Sequence, residues 1–127
     1  MAPMNEHETE AATAFAAAIR DTPTWQQWDE AQRSLEGDAA LGDLFSRYKE
    51  LSGKWQRAEA RGSGLSGEQV VELAQVQEKI ANHPLYVRRD ETLRELTTLL
   101  QDLNSLLTEH LGIDFAAAAA PRSGCCG

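Results

Sequence analysis

Residues 85–111 read LYVRRDETLRELTTLLQDLNSLLTEHL and form the longest regular pattern in the chain. Leucines recur in this stretch at the spacing of one α-helical face. Asn82-His83-Pro84 before it marks a helix cap or a sharp kink, and Gly112 after it is a typical helix stop signal. The stretch therefore predicts one long helix with a broad apolar face. That face consists of Leu93, Leu96, Leu99, Leu100, Leu103, Leu106, Leu107 and Leu111.

Four more helices are predicted upstream of this stretch. They cover about Glu6–Arg20, Thr22-Pro23 to Glu36, Ala39–Arg61, and a segment that follows the capping-box pattern Ser66-Gly67-Glu68-Gln69. Gly62-Ser63-Gly64 is a short loop, so the third and fourth helices should pair as an antiparallel hairpin. We expect an all-α fold of four to five helices, two of them long, with short helices at the N-terminus.

The predicted domain covers residues 1–115, and residues 116–127 are interpreted as an alanine-rich, flexible tail that contains the cysteines. Ile113-Asp114-Phe115 should fold back onto the body, and the alanine run either extends a helix or stays loose. The periodic positions predict a buried core, and the fourth helix should bury Val70, Leu73, Val76, Gln77 and Ile80. The large side chains expected in the core are Phe15, Trp28, Phe45, Tyr48, Trp55 and Leu96.

Composition excludes several classes of protein. The chain has 127 residues, a formal net charge of -8 and two cysteines. It has no apolar run long enough to span a membrane, and its acidic start does not resemble a signal peptide. Nonspecific nucleic-acid binding needs positive charge, so we expect no direct DNA binding. Cys125 and Cys126 are adjacent and cannot staple a fold, which favours a reducing cytoplasm.

Two groups of residues resemble a known family. The first is Ala14-Phe15-Ala16-Ala17-Ala18-Ile19, followed by Thr22-Pro23, Trp25, Ala31, Leu35 and Asp38. The second is Asn82-His83-Pro84-Leu85, followed by Leu93, Leu96, Leu100 and Leu111-Gly112-Ile113-Asp114-Phe115-Ala116. Their order and spacing, over about residues 11–116, resemble the YlbF/YmcA/YheA family. Trp25 and Trp28 depart from the smaller aromatic residues common in that family, as does the alanine-rich stretch before the cysteines.

The resemblance implies a small cytoplasmic helical protein without known catalysis. Bacterial members of the family regulate competence, sporulation and biofilm formation. Some assemble with paralogues and a further partner, and that complex influences ribonuclease Y and mRNA processing. Some members use C-terminal cysteines to hold iron–sulfur clusters in the complex. By this resemblance we expect a non-enzymatic regulator whose partners are itself, as a homodimer or larger assembly, or paralogues.

Cys125 and Cys126 are the candidate metal ligands. Thiolates bind zinc, copper(I) and iron–sulfur clusters. One chain supplies too few thiolates for a four-ligand site, but two tails in a dimer would supply four. The family resemblance implies that the cofactor is an iron–sulfur cluster or another thiolate-bound metal, shared between chains. The alternative is an exposed, redox-reactive tail with no fixed ligand.

Arg47, Lys54, Arg57 and Arg61 share one face of the third helix and form the candidate partner-binding strip. One interpretation is a docking strip for an acidic partner or for RNA. The other is a solvated face balanced by Glu50 and Glu59.

Catalytic motifs are not evident, and three functional hypotheses follow. His7, His83 and His110 lack metal-ligand spacing, and the glycines do not form a phosphate loop. The leading hypothesis is a regulatory interaction protein that oligomerises because its apolar helix faces exceed what one small chain covers. The competing hypothesis is a thiol-based redox protein or small metal carrier that uses the cysteine tail. A plain structural module with an idle tail is the third.

Overall fold

The computed structural model describes residues 2–121, and within that range it contains six α-helices and no β-strand. The helices are α1 (Glu6–Arg20), α2 (Pro23–Glu36), α3 (Ala39–Ala60), α4 (Gly67–Ala81), α5 (Pro84–Leu111) and α6 (Phe115–Ala119). The predicted all-α class and the five predicted helices are confirmed. The sixth helix takes up the first part of the alanine run, residues 116–119.

Side chains cap the helices at the predicted start signals. Asp38 accepts a hydrogen bond from the Leu41 backbone N–H at 2.8 Å and so caps α3. Ser66 and Gln69 form a reciprocal capping box at α4. At the other end of α5, Gly112 adopts a φ of 77°, a conformation that favours glycine. Local sequence therefore fixes where the helices begin and end.

The helices pack mainly as two pairs, α3 with α4 and α2 with α5. The first pair is the predicted hairpin, and its core consists of Leu51, Leu73, Val76 and Ile80. In the second pair, α2 contributes the buried Ala31, and α5 contributes the buried Thr92 and Leu96. Few contacts join the two pairs beyond the short connections between α2 and α3 and between α4 and α5.

The helices α1 and α6 pack near the C-terminal half of α5. Phe15 and Ile19 of α1 and Phe115 of α6 line one hollow with leucines of α5. The Ala116 backbone N–H donates to Asn104 Oδ1 at 2.9 Å, which ties α6 back to α5. The segment after Gly112 thus folds back onto the body, as the sequence predicts.

Three of the six large side chains predicted to be buried are exposed. Trp55 is 47% exposed, Phe15 41% and Tyr48 37%, so the prediction is wrong for them. Trp28 and Phe45 are half-buried, and Leu96 is buried as predicted. For Tyr48 and Trp55 the reason is that α4 covers only one side of α3, and no other helix among residues 2–121 packs along the side that carries them. Phe15 is exposed because α1 packs only weakly and buries none of its residues.

The same one-sided covering affects the two longest faces. On α4, Leu73, Val76 and Ile80 are buried as predicted, but Val70 and Gln77 are exposed. On α5, Leu96 is buried, whereas the outer leucines of the broad face stay exposed. These exposed leucines are Leu100, Leu106 and Leu111. The described part of one chain therefore leaves apolar surface uncovered on both pairs of helices.

Candidate interaction surfaces

One side of the α3–α4 hairpin carries a network of ion pairs centred on Arg47. Its guanidinium holds Glu72 of α4 through two hydrogen bonds, from Nε to Oε1 and from Nη2 to Oε2, the latter at 2.7 Å. Its Nη1 donates to Glu50 Oε2 at 2.9 Å, and Lys54 Nζ lies 3.3 Å from Glu50 Oε1. Because Arg47 and Glu72 lie on different helices, this two-point pair braces the hairpin. We call this side the charged face.

The network alters the ionisation of its members. The hydrogen bonds from Arg47 lower the pKa of Glu72, and they lower the pKa of Glu50 together with those from Lys54. The same hydrogen bonds to Glu72 and Glu50 raise the pKa of Arg47 above its ordinary value. Each group is kept in its charged form because a partner of opposite charge accepts or donates to it.

The four predicted partner-binding residues differ in whether a carboxylate of the same chain already pairs with them. Arg47 and Lys54 are both engaged with carboxylates. Arg57 and Arg61 lie toward the loop end of α3, where the Arg61 Nε–H donates to the Arg57 carbonyl at 3.2 Å. Within residues 2–121 neither is in an ion pair. Sequence reasoning anticipated the balancing role of Glu50 but missed Glu72, since no local spacing links it to Arg47.

The opposite side of the hairpin contains a hollow of about 260 Å³ whose lining includes no charged residue. Phe45 and Tyr48 of α3 form one wall, and the end of α4 forms another. The full lining is Phe45, Tyr48, Gln77, Ile80, Ala81 and Tyr86. We call this side the uncharged face and its depression the aromatic hollow. Sequence reasoning placed Phe45 and Tyr48 inside the core, so it did not predict a surface here.

Tyr86 links the aromatic hollow to the start of α5. Its ring centroid lies 6.4 Å from that of Phe45, in a tilted arrangement typical of packed aromatic pairs. The Arg89 guanidinium carbon lies 5.1 Å from the Tyr86 centroid, which is within cation–π distance. Tyr86, one of the residues that line the hollow, thus contacts both an aromatic ring of α3 and a cation of its own helix.

Asp38 and His83 meet where the hairpin joins the rest of the molecule. His83 caps α5, because its Nδ1 accepts from the Leu85 backbone N–H at 3.2 Å. Its Nε2 lies 3.7 Å from Oδ2 of Asp38, the residue that caps α3. The chain therefore leaves for the hairpin and returns from it at the same point. The predicted role of His83 at a helix start is confirmed; its contact with Asp38 was not foreseen.

Residues 2–121 were compared with the requirements of a metal site and of a membrane-spanning helix. Within that range no cluster of three or more His, Cys, Asp and Glu side chains could hold a metal ion. No described helix is both long and apolar enough to cross a membrane. Cys125 and Cys126, the predicted metal ligands, lie outside the described residues.

Comparisons with known proteins agree on one family. Residues 9–112 match the family model described as "Control of competence regulator ComK, YlbF/YmcA". UPF0342 proteins from Listeria monocytogenes strains CLIP80459 and EGD-e are each 25% identical over 89 residues, which is 70% of this chain and 76% of theirs. A protein of unknown function (DUF964) from Bacillus stearothermophilus has a similar structure, with a TM-score of 0.53 at 13% identity. The match covers 84% of this chain and 94% of the other.

Proposed function

The chain belongs to the YlbF/YmcA family, whose description links it to competence regulation, and we propose that it is a non-enzymatic regulatory protein that works by binding other proteins. It oligomerises through its helices, as a homodimer or with paralogous chains. In the cytoplasm it takes part in a complex that influences RNA processing and cell-fate decisions. Its C-terminal cysteines, Cys125 and Cys126, act as ligands of an iron–sulfur cluster or another metal shared between chains.

The observation that carries this proposal is the uncovered apolar surface. Tyr48 and Trp55 on α3, and Leu106 and Leu111 on α5, are all exposed in the single chain. Soluble monomers rarely expose large apolar patches, and such patches commonly mark protein–protein contacts. A protein that works by assembly would cover these side chains in its complex.

Light scattering on the purified chain tests the oligomer. We expect a mass of at least twice the 14.0 kDa of one chain at micromolar concentration. A mass of 14 kDa at that concentration would contradict the proposed self-association. Mixing with a paralogue from the same cell then separates a hetero-oligomer from a chain that acts alone.

A deletion tests the tail. Removing residues 123–127 should leave helicity and melting nearly unchanged, since the helical core lies upstream, and should abolish bound metal because both thiols are lost. The protein is purified without oxygen, and metal content and visible absorption are compared with those of Cys125→Ser. Full metal content in the truncated protein would rule out the cysteines as ligands. A colourless, metal-free protein that turns over in a disulfide-exchange assay would favour a thiol redox protein instead.

The basic strip contributes the docking site for an acidic partner. Arg57 and Arg61 are the members to test, since Arg47 and Lys54 are held by Glu50 and Glu72. Arg57→Glu with Arg61→Glu should reduce the amount of partner that co-purifies from the native cell. The matched control is Arg20→Glu with Arg88→Glu, which changes the net charge equally. Both residues are exposed cations outside the hairpin, and neither is in an ion pair within residues 2–121. Loss of bound RNA rather than of protein would identify RNA as the acidic partner.

A further inference from the structure

The uncharged face of the hairpin combines a protruding aromatic side chain with a hollow. Trp55 projects from α3 and is nearly half-exposed. The aromatic hollow, bounded on α3 by Phe45 and Tyr48, lies farther from the loop. Trp55 follows Tyr48 by seven residues, so the two lie on the same row of α3, about 10 Å apart. Tryptophan is one of the side chains enriched at the energetically dominant positions of protein interfaces, which cluster in well-packed pockets.

The spacing fits a two-fold axis. When two α3 helices cross antiparallel about their midpoint, Trp55 of each copy faces Tyr48 and the aromatic hollow of the other. The midpoint between Tyr48 and Trp55 falls beside Ser52, whose small side chain lies on the same row and lets the helices approach. In a two-fold interface each such contact occurs twice, because residue i meets j and j meets i. One surface thus supplies both the projecting group and its receptor.

The charges also favour a second copy as the occupant. The two rows of this face contain no charged residue, and Lys49 borders the row on α3. The rows consist of Phe45, Tyr48, Ser52 and Trp55 on α3, and Val70, Ala74, Gln77 and Ala81 on α4. The ion pairs of Arg47, Glu50 and Glu72 lie on the other side of the hairpin. A chain of net charge -8 repels its own copies, and contact through an uncharged face keeps most carboxylates apart.

We propose that two copies of this chain pair through the uncharged faces of their α3–α4 hairpins, with Trp55 of each copy filling the aromatic hollow of the other. The result is an antiparallel four-helix arrangement about Ser52, with the two charged faces outward. This proposal rests on the self-association proposed above, to which it assigns a surface. It leaves the basic strip and the α5 leucines available for other partners.

Two neighbouring valines provide the test. Val70 lies on the uncharged face, in the row of Gln77, and is 54% exposed; Val71 is 57% exposed and lies in the row of Glu78 on another side of α4. A glutamate at either position is solvent-accessible within one chain. We expect Val70→Glu to halve the mass seen by light scattering, while Val71→Glu keeps the wild-type mass. Circular dichroism checks that both variants keep full helicity.

A crosslink tests the geometry directly. Ser52→Cys is made in a chain that also carries Cys125→Ser and Cys126→Ser, and Ser46→Cys in the same background is the control. Ser46 is the more exposed serine of α3, so random collisions favour it. We expect mild oxidation to give a covalent dimer from Ser52→Cys and little from Ser46→Cys.

The outcomes separate this surface from self-association in general. A wild-type oligomer that Val70→Glu leaves intact, or faster crosslinking at Ser46→Cys than at Ser52→Cys, would overturn the hairpin pairing while self-association stands. A wild-type chain that stays monomeric would overturn both. Loss of the oligomer in both valine variants would also contradict the proposal, because it would show no preference for the uncharged face.

Discussion

The α3–α4 hairpin and the α2–α5 pair cover their apolar faces in different ways. The hairpin joins helices of 22 and 15 residues that are neighbours in sequence, and a continuous core runs between them. The other pair joins a helix of 14 residues to one of 28, and the whole hairpin separates them along the chain. At about 1.5 Å per residue, α5 extends roughly 20 Å beyond what α2 can reach.

This difference explains where apolar surface remains. In the hairpin the lengths are close enough for one side of each helix to be buried along much of its length, so the exposed groups lie on a lateral face. In the α2–α5 pair the excess length of α5 is covered only by α1 and the short α6, which leaves Leu106 and Leu111 exposed. The hairpin thus buries its own core more completely, whereas the C-terminal end of α5 is covered only in part by other helices.

The largest expected effect is a difference in the free energy of unfolding between a leucine truncated in the centre of the hairpin and one truncated at the end of α5. Leu51 is fully buried, so Leu51→Ala should lower the free energy of unfolding by about 2–5 kcal/mol through lost burial and a cavity. Leu106 is exposed, so Leu106→Ala should change it by less than about 0.5 kcal/mol. Urea denaturation of both variants gives the comparison. If Leu106→Ala lowers the free energy of unfolding by clearly more than this, the C-terminal end of α5 is buried in an assembly.

A smaller effect on stability is expected where the α3–α4 hairpin joins the α2–α5 pair. Asp38→Ala removes the cap of α3, and caps of this kind contribute about 0.5–2 kcal/mol. It also removes the contact with His83. Asn5→Ala removes a cap of similar chemistry at α1, a helix with no fully buried residue. We expect Asp38→Ala to lower the melting temperature clearly and Asn5→Ala to leave it almost unchanged; equal shifts would contradict a special role for the junction.

The smallest effect is a pH dependence of the charged face. Arg47 lowers the pKa of Glu72 in the folded chain, so the pair stabilises the fold above the unfolded pKa, which is about 4.3. That contribution is lost as the pH falls through the lower, folded pKa. Wild type should therefore be more stable than Glu72→Gln at pH 7, and the difference should shrink as the pH falls below about 4.3 and through the lower, folded pKa. A difference in melting temperature that stays constant over a stepwise acid titration would exclude this origin.

Local signals predicted the helices well. The capping box at Ser66, the Thr22-Pro23 start and the glycine after Leu111 are decided by neighbouring residues, so their positions can be read directly. Leu96 was also correctly placed inside, because it lies within a regular apolar stripe. What periodicity cannot give is how much of a stripe a neighbour covers.

Tyr48 and Trp55 show that limit. They belong to the same periodic stripe as Leu51, but α4 approaches only from the Leu51 side, so the two aromatic residues remain exposed. Glu72 shows a second limit, since its partner Arg47 is 25 positions away and only the hairpin brings them together. The basic strip was visible as a pattern, but its partial neutralisation depends on a contact between helices.

The meeting of Asp38 and His83 has a consequence for how such a chain can vary. Because the polypeptide departs and comes back at one point, the segment between them behaves as an insertion into a simpler two-helix frame. Whole turns can be added to or removed from both arms, or the Gly62-Ser63-Gly64 tip rebuilt, without moving the anchoring ends. Relatives can therefore differ in the length of the α3–α4 hairpin, and so in the partners it contacts, while the α2–α5 pair stays the same.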